Sequence, residues 1–312
     1  MKSRASLQPH LSAADFDALF EQVSNWARWD EKSPRGTLNH LTPDRIVSAA
    51  RLVRTGRTVS LGLPLDTEPR ADNPAPAEHR MTQLTDTGSG AVRFVKDFIG
   101  VDFHNDGHSH LDALCHVSYQ GSFFGGTSDT SATDEGATVG DVGIAKDGLV
   151  GRGVLLDIPR LREVPWLEPG EEVGADELVA AEDRQGVRVG AGDILLVRTG
   201  HPRRLAELGP WDTTRAKAGL HPRTAALLTE RRIAVLGCDT NSDAAPSATE
   251  GVQFPIHVLA VNAMGLHLLD YLQFEELATV CEHWARWEFL CVVAPLRIPG
   301  GTGSPVNPIA IF

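Results

Sequence analysis

Short apolar runs, each about the length of one strand, recur along this chain and alternate with helical patterns; that alternation limits the fold more than any other feature. The runs read VRFVKDFIGVDFH, GVLLDIP, DILLVRTG, RIAVLGCD and EFLCVVAPLRI. Between several of them lie helical patterns at Ala175–Arg184, Pro222–Arg231 and His257–Met264. Upstream, Ser12–Val23 reads as a helix capped by Ser12, with Asp15 at the capping-box position and Phe16, Leu19, Phe20 and Val23 on one stripe. A second helix opens with Thr42 and Pro43 and ends before Gly56, and Thr58–Leu65 reads as a strand. Strands mixed with helices indicate an α/β or α+β domain. Neither a repeat nor a linker breaks the chain, so residues 1–312 are read as one domain. Asp66–Arg80, rich in Pro, Ala and acids, reads as a mobile loop able to cover a site. The tail GGTGSPVNPIAIF reads as loop followed by an apolar end that docks.

Charge excludes two classes of partner. Of 312 residues, 29 are basic and 41 acidic, a net charge of −12, with no basic block interleaved with aromatics. A nucleic-acid binder needs a cationic footprint to neutralise phosphates, and an anionic membrane surface demands the same. The four cysteines (Cys115, Cys238, Cys281, Cys291) form no C-x-x-C pair and read as reduced thiols. The first residues lack the apolar core of a signal peptide, and no stretch reaches the roughly 18 apolar residues of a membrane span. A cytoplasmic protein acting on a small molecule is expected.

The chemistry is concentrated between His104 and His116, where His104, Asp106, His108, His110, Asp112 and His116 occupy six of 13 positions. An extended chain would place the first five on one side, whereas a helix would align His104, His108, Asp112 and His116. A regular strand from 104 to 112 would span roughly 26 Å, far beyond what ligands about 2 Å from one ion can bridge. Gly107 permits a bend and weakens a helix. The segment therefore reads as a strand that bends near Gly107 and enters a helix around Ala113. Apolar flanks imply burial, and burying so many titratable groups without a cation is costly. Nitrogen and carboxylate ligands suit a divalent ion, Zn²⁺, Mn²⁺ or Fe²⁺, and do not separate the three; zinc or manganese is the expected cofactor.

These residues resemble the cyclase family that includes bacterial kynurenine formamidase and isatin hydrolase. Its pattern H-x-G-T-H-x-D-x-P-x-H is matched by His110, Asp112 and His116, with Ser109 in place of Thr. NWARWDEKSPRGTLNHLTP, GLHPRTAALLTERRIAVLGCDTNSD and PLRIPGGTGSPVNPIAIF are similar to other segments of the family, in order. The family's first His falls on Asp106, its Gly on His108 and its Pro on Leu114. Either Asp106 replaces that ligand, or His104 or His108 does. Members with two metals take further ligands from a His and a Glu at positions resembling His257 and Asp270. The resemblance implies a swivelling β/β/α fold, a mixed sheet flanked by helices, assembled as a homodimer or homotetramer.

The implied chemistry is hydrolysis of an amide, cyclic amide or lactone in a small metabolite, aromatic or otherwise ring-bearing. The resemblance gives His116 the role of general acid and base; the sequence alone equally permits it as a ligand. Metal-assisted cyclisation or elimination, and metal binding without catalysis, are the rival readings. Trp26, Trp29, His104 and Asp239 are candidates for contacting substrate, Asp239 because it ends an apolar strand. His221, before Pro222, reads as a helix cap or a hydrogen-bonded core residue, and Cys115 as a core residue. GGTGSP lacks the Lys and helix of a phosphate loop.

Overall fold

The computed structural model describes residues 9–29, 34–82 and 94–312. Continuous runs such as ILLVR are buried at every position, as strands covered on both faces require. They form the middle of a nine-stranded mixed sheet. Its order is Thr58–Ser60, Ile309–Ile311, Glu288–Val293, Leu149–Asp157, Ile194–Arg198, Val235–Cys238, His267–Asp270, His110–Asp112 and Gly303–Pro305. Four consecutive strands, from Leu149–Asp157 to His267–Asp270, are parallel. The pairings on either side of them are antiparallel.

Each crossover between the parallel strands carries a helix: Ala175–Gln185, Thr224–Arg231 and then Pro255–Met264, whose last two turns widen into a π-helix. Alternate strand residues serve opposite cores. Leu156, Leu195, Leu236 and Leu268 join Phe16, Phe20 and the crossover helices on one face. Leu155, Leu196, Val235 and Leu269 meet Leu277, Phe289 and Phe312 on the other. Helix Ala13–Val23 docks Phe16, Leu19, Phe20 and Val23, each fully buried apolar side chain contributing about 1.5–3 kcal/mol. Ser12 caps it by accepting from the Asp15 N–H.

Several elements differ from the sequence expectation. The strand at Thr58 ends at Ser60, because the next amides turn to side chains: Gly62 N–H to Asn307 Oδ1 and Leu63 N–H to Ser109 Oγ. Of the run from Val92, only Lys96–Gly100 is a strand, paired with Glu78–Thr82 in an exposed ribbon; Val92 and Arg93 lie outside the described residues. The last residues of the Asp66–Arg80 stretch belong to that ribbon. Its earlier part is pinned, Asn73 donating to the carbonyls of Asp66 and Glu68. The second helix stops at Ala50, and the amides of Thr55 and Gly56 donate to the Phe312 carbonyl. No helix follows Ala113: a single turn closes from His116 N–H to the Ala113 carbonyl, and Cys115 N–H donates to Gly140. The apolar end of the tail enters the sheet between Glu288–Val293 and Thr58–Ser60. Among the described residues no helix is long and apolar enough to cross a membrane.

His267 is buried with neither ring nitrogen hydrogen-bonded. Burial pulls its pKa from 6.5 down to about 4, Asp112 opposing and Arg35 reinforcing. Between these values the unfolded chain binds a proton that the folded chain refuses. Its contribution is therefore intact above 6.5 and lost as pH falls towards 4. His267→Leu should raise the melting temperature at pH 7.5, since an unsatisfied buried polar group costs about 1–3 kcal/mol. The gain should be larger at pH 5. Thermal melts showing a lower melting temperature at both pH values would refute this account.

Candidate metal centre

The candidate site lies beyond the carboxyl end of His267–Asp270, where parallel strands commonly present ligands. Asp270 pairs in register with His110 on the neighbouring strand, and Gly303 pairs with Asp112. Gly303 is required there: a Cβ would stand 2.2 Å from the Leu111 carbonyl oxygen and 2.9 Å from His104 Cε1. The chain before this strand turns at residues 104–108, with Gly107 N–H donating to Asn105 Oδ1 at 2.8 Å. That bend brings His104 back over Asp112.

Asp112 is fully buried, and neither of its oxygens has a hydrogen-bond partner. Its Oδ1 lies 3.0 Å from His104 Nδ1, 3.6 Å from His110 Nε2 and 3.9 Å from His116 Nε2. Its Oδ2 lies 3.4 Å from His257 Nε2, which is also 3.3 Å from Asp270 Oδ2. His104 Nδ1 and Asp270 Oδ2 are likewise buried and unpartnered. Atoms that share a tetrahedral ion at about 2.1 Å lie roughly 3.4 Å apart. Close, unaligned lone pairs of this kind fit a cation between them.

The other ring nitrogens are fixed, as in most histidine ligands. His110 Nδ1 donates to the His108 carbonyl at 2.8 Å, and His257 Nδ1 donates to Asp243 Oδ2 at 2.6 Å. His104 Nε2 bonds Thr302 Oγ1 at 2.9 Å. His116 differs: it stacks on His104 with centroids 3.8 Å apart, and its ring makes no hydrogen bond with the described residues.

Charge follows from this geometry. Burial opposes ionisation of Asp112, yet the imidazoles of His116, His104, His257 and His110 outweigh it and hold the carboxyl well below its ordinary range. Burial likewise opposes charge on His257, but Asp112, Asp243 and Asp270 lift its pKa well above 6.5. Burial raises Asp270, against the pull of His257. A positive charge is required among these carboxylates, a proton on His257 or a divalent ion.

Not every residue singled out in the sequence reaches this cluster. Asp106 and His108, expected as ligands, lie apart from it. Asp106 accepts from the Thr213 hydroxyl and stands 3.6 Å from Lys217 Nζ. His108 turns away, its Nε2 3.4 Å from the Ala75 carbonyl, and burial lowers its pKa. His104, expected either as the replacement ligand or against substrate, lies in the cluster with its Nδ1 3.0 Å from Asp112 Oδ1. Asp239, also expected against substrate, is buried away from the cavity, accepting from Thr199 N–H and Oγ1 at 2.7 Å and from Gly200 N–H at 2.8 Å. Trp26 and Trp29 line a separate apolar cavity of about 250 Å³ with Leu114, Phe123 and Phe124. His221 caps the chain at Arg223 N–H. Burial pushes the Cys115 thiol up to about 11, as for a core residue. Asp243, Thr302, Lys217 and Tyr271 were not anticipated; Thr302 sits within the GGTGSP stretch set aside as a failed phosphate loop.

The cluster opens onto a cavity of about 810 Å³ that His104, His110, His116, His257 and Asp270 line. His104→Ala, His110→Ala and Asp112→Ala should each lose bound zinc or manganese, read by elemental analysis of purified protein. Asp243→Ala should weaken binding by roughly 10–100-fold, and Asp106→Ala should retain the ion. Loss from Asp106→Ala with retention by His104→Ala would reverse the ligand assignment.

Residues 59–244 match the Cyclase family, described as "Putative cyclase". No curated protein matches the sequence significantly. A crystal structure described as a novel cyclase is 30% identical with a TM-score of 0.85, covering 93% of this chain and 100% of that one. Isatin hydrolase A from Ralstonia solanacearum is 23% identical with a TM-score of 0.57, covering 86% and 95%. A predicted metal-dependent hydrolase from Bacillus stearothermophilus is 15% identical with a TM-score of 0.52, covering 82% and 98%. The latter two share the fold. With its buried His/Asp cluster in that fold, the chain belongs to the cyclase family.

Proposed function

We propose that this protein is a metal-dependent hydrolase that opens an amide, cyclic amide or lactone in a small, ring-bearing metabolite. His104, His110 and Asp112 would hold the ion, with His257 Nε2 between the second oxygen of Asp112 and Asp270. A divalent ion there supplies Lewis acidity towards a carbonyl and lowers the pKa of water towards about 7.

The observation that carries the reading is the contrast between His116 and its neighbours. His104, His110 and His257 each have one nitrogen tied by a supporting group and the other aimed at a carboxylate. His116 has no such support, and its side chain is the most exposed of the four, at 26%. A ring with no supporting hydrogen bond and an edge on the cavity suits proton transfer. Burial, opposed by Asp112 and reinforced by the neighbouring histidines, lowers His116 to about 4. It is therefore neutral at pH 7 and able to accept a proton at Nε2. The same nitrogen then returns the proton to the departing nitrogen or oxygen. Phe254, Tyr119 and Tyr271 line the cavity and offer apolar surface to a ring.

The name of the isatin hydrolases, which share this fold, makes isatin, a cyclic amide, the first compound to assay. N-formylkynurenine and simple lactones complete the panel, each with zinc- or manganese-loaded and chelator-stripped protein. Turnover should require the metal, and product formed in ¹⁸O-water should carry the label; unlabelled product would favour cyclisation or elimination. His116→Ala should keep the metal and lose about 10²–10⁴-fold in kcat. Full turnover by that variant would remove the role given to His116.

A further inference from the structure

The hydrolytic reading leaves unused a second polar group on the same cavity wall: Asp106, Lys217, Asn241 and Tyr271. Lys217 is 3% exposed, an uncommon position for an ammonium group. Its three N–H donors meet two acceptors within hydrogen-bonding distance among the described residues. Tyr271 Oη lies at 3.1 Å, and the Asn241 amide oxygen, oriented to satisfy both ends of that side chain, at 3.0 Å. Asp106 Oδ2 is at 3.6 Å, beyond hydrogen-bonding distance, and takes the Thr213 hydroxyl. One donor of a buried cation on a cavity wall is thus left without an acceptor, an arrangement that costs free energy unless a ligand supplies one.

The surroundings hold this ammonium in place. Lys217 and Ala245 exchange backbone hydrogen bonds at 3.1 and 3.0 Å. Gly219 approaches Asp243 so closely that a Cβ would stand 2.2 Å from its carbonyl carbon. The lysine is therefore locked to the segment that carries Asn241 and the His257 partner Asp243. Tyr271 directly follows Asp270 and has φ of +52°, a conformation costly for a tyrosine. Its amide donates to the Thr240 carbonyl at 2.9 Å and its carbonyl accepts from Ser109 Oγ at 2.5 Å, which keeps it there. Arg215 also lines the cavity, its guanidinium paired with Asp212 at 3.0 Å.

We propose that Lys217 anchors an anionic oxygen of the substrate, so that the molecule hydrolysed is an acid whose carboxylate meets Lys217 while its reacting carbonyl lies at the Asp112 cluster. The proposal rests on the hydrolase reading of the same cavity. A carboxylate is favoured over a neutral carbonyl because charge-assisted hydrogen bonds are the shorter and stronger ones.

Calorimetric titration with sodium benzoate and with neutral benzamide, on metal-loaded and chelator-stripped protein, tests it. Benzoate should bind more tightly than benzamide in both forms. Lys217→Met should weaken benzoate by roughly tenfold to a hundredfold and leave benzamide unchanged. Because Lys217→Met alone leaves Asp106 unpaired, Lys217→Met combined with Asp106→Asn keeps the wall neutral and should lose the same affinity. Lys217→Arg should recover part of it. Benzoate that fails to bind the unaltered protein, or that binds the double variant equally well, overturns the proposal. The stripped protein separates the two readings: a chain that turns over nothing on the assay panel yet binds benzoate through Lys217 fails as a hydrolase and keeps its anion site.

Discussion

The structure turns on one buried charge. Asp112 ends the three-residue strand His110–Asp112, fully buried, with both oxygens unpartnered and imidazoles around it. An isolated carboxylate in such a place would protonate; four nearby rings keep it ionised, and a cation completes the balance. Everything local serves this arrangement. The strand is wedged between His267–Asp270 and Gly303–Pro305, so the residues flanking Asp112 cannot slide by one position without moving their side chains to the opposite core.

Other parts of the chain also meet this strand. Asp270 ends a parallel strand, His257 lies on the crossover helix before it, and Thr302 precedes the antiparallel edge strand. The parallel half supplies Asp270 at a strand end, and the tail supplies the hydroxyl that steadies His104. The tail thus reaches the site, while its last apolar residues enter the other end of the same sheet, between Glu288–Val293 and Thr58–Ser60.

Much of the site could be read from residue types and spacing: His110, Asp112 and His116 from the motif, His257 and Asp270 from positions equivalent in the family. The choice between His104 and Asp106 could not. It depends on Lys217 and Thr213, more than a hundred residues away in sequence, which claim Asp106 and leave His104 to fold back. The expected helix at Ala113 failed for a similar reason. LDALCHV suits a helix locally, but Ala113 N–H is taken by the Thr302 carbonyl and Cys115 N–H by Gly140. Helix Glu275–Trp284 went unread although Leu277 and Cys281 mark its buried face; their spacing was present, without a cap or proline to draw attention to it. Strand cores were easier, because a run buried on both faces needs no periodicity.

The exchange of ligand has a chemical consequence that a simple replacement would lack. Had Asp106 stayed a ligand, a third carboxylate would have joined Asp112 and Asp270 around the ion, and Lys217 would be buried without a counter-ion. With His104 and not Asp106 beside Asp112, an imidazole faces the cluster and an acid stands 3.6 Å from the lysine ammonium. One bend at Gly107 therefore sets two environments in one cavity, a cation-holding cluster and an ammonium-bearing wall, with Tyr271 between them. Its ring is 6.4 Å from His110 and its hydroxyl is bonded to Lys217. A ligand engaging both must be polar at each end, which selects for molecules that a metal cluster alone would not distinguish.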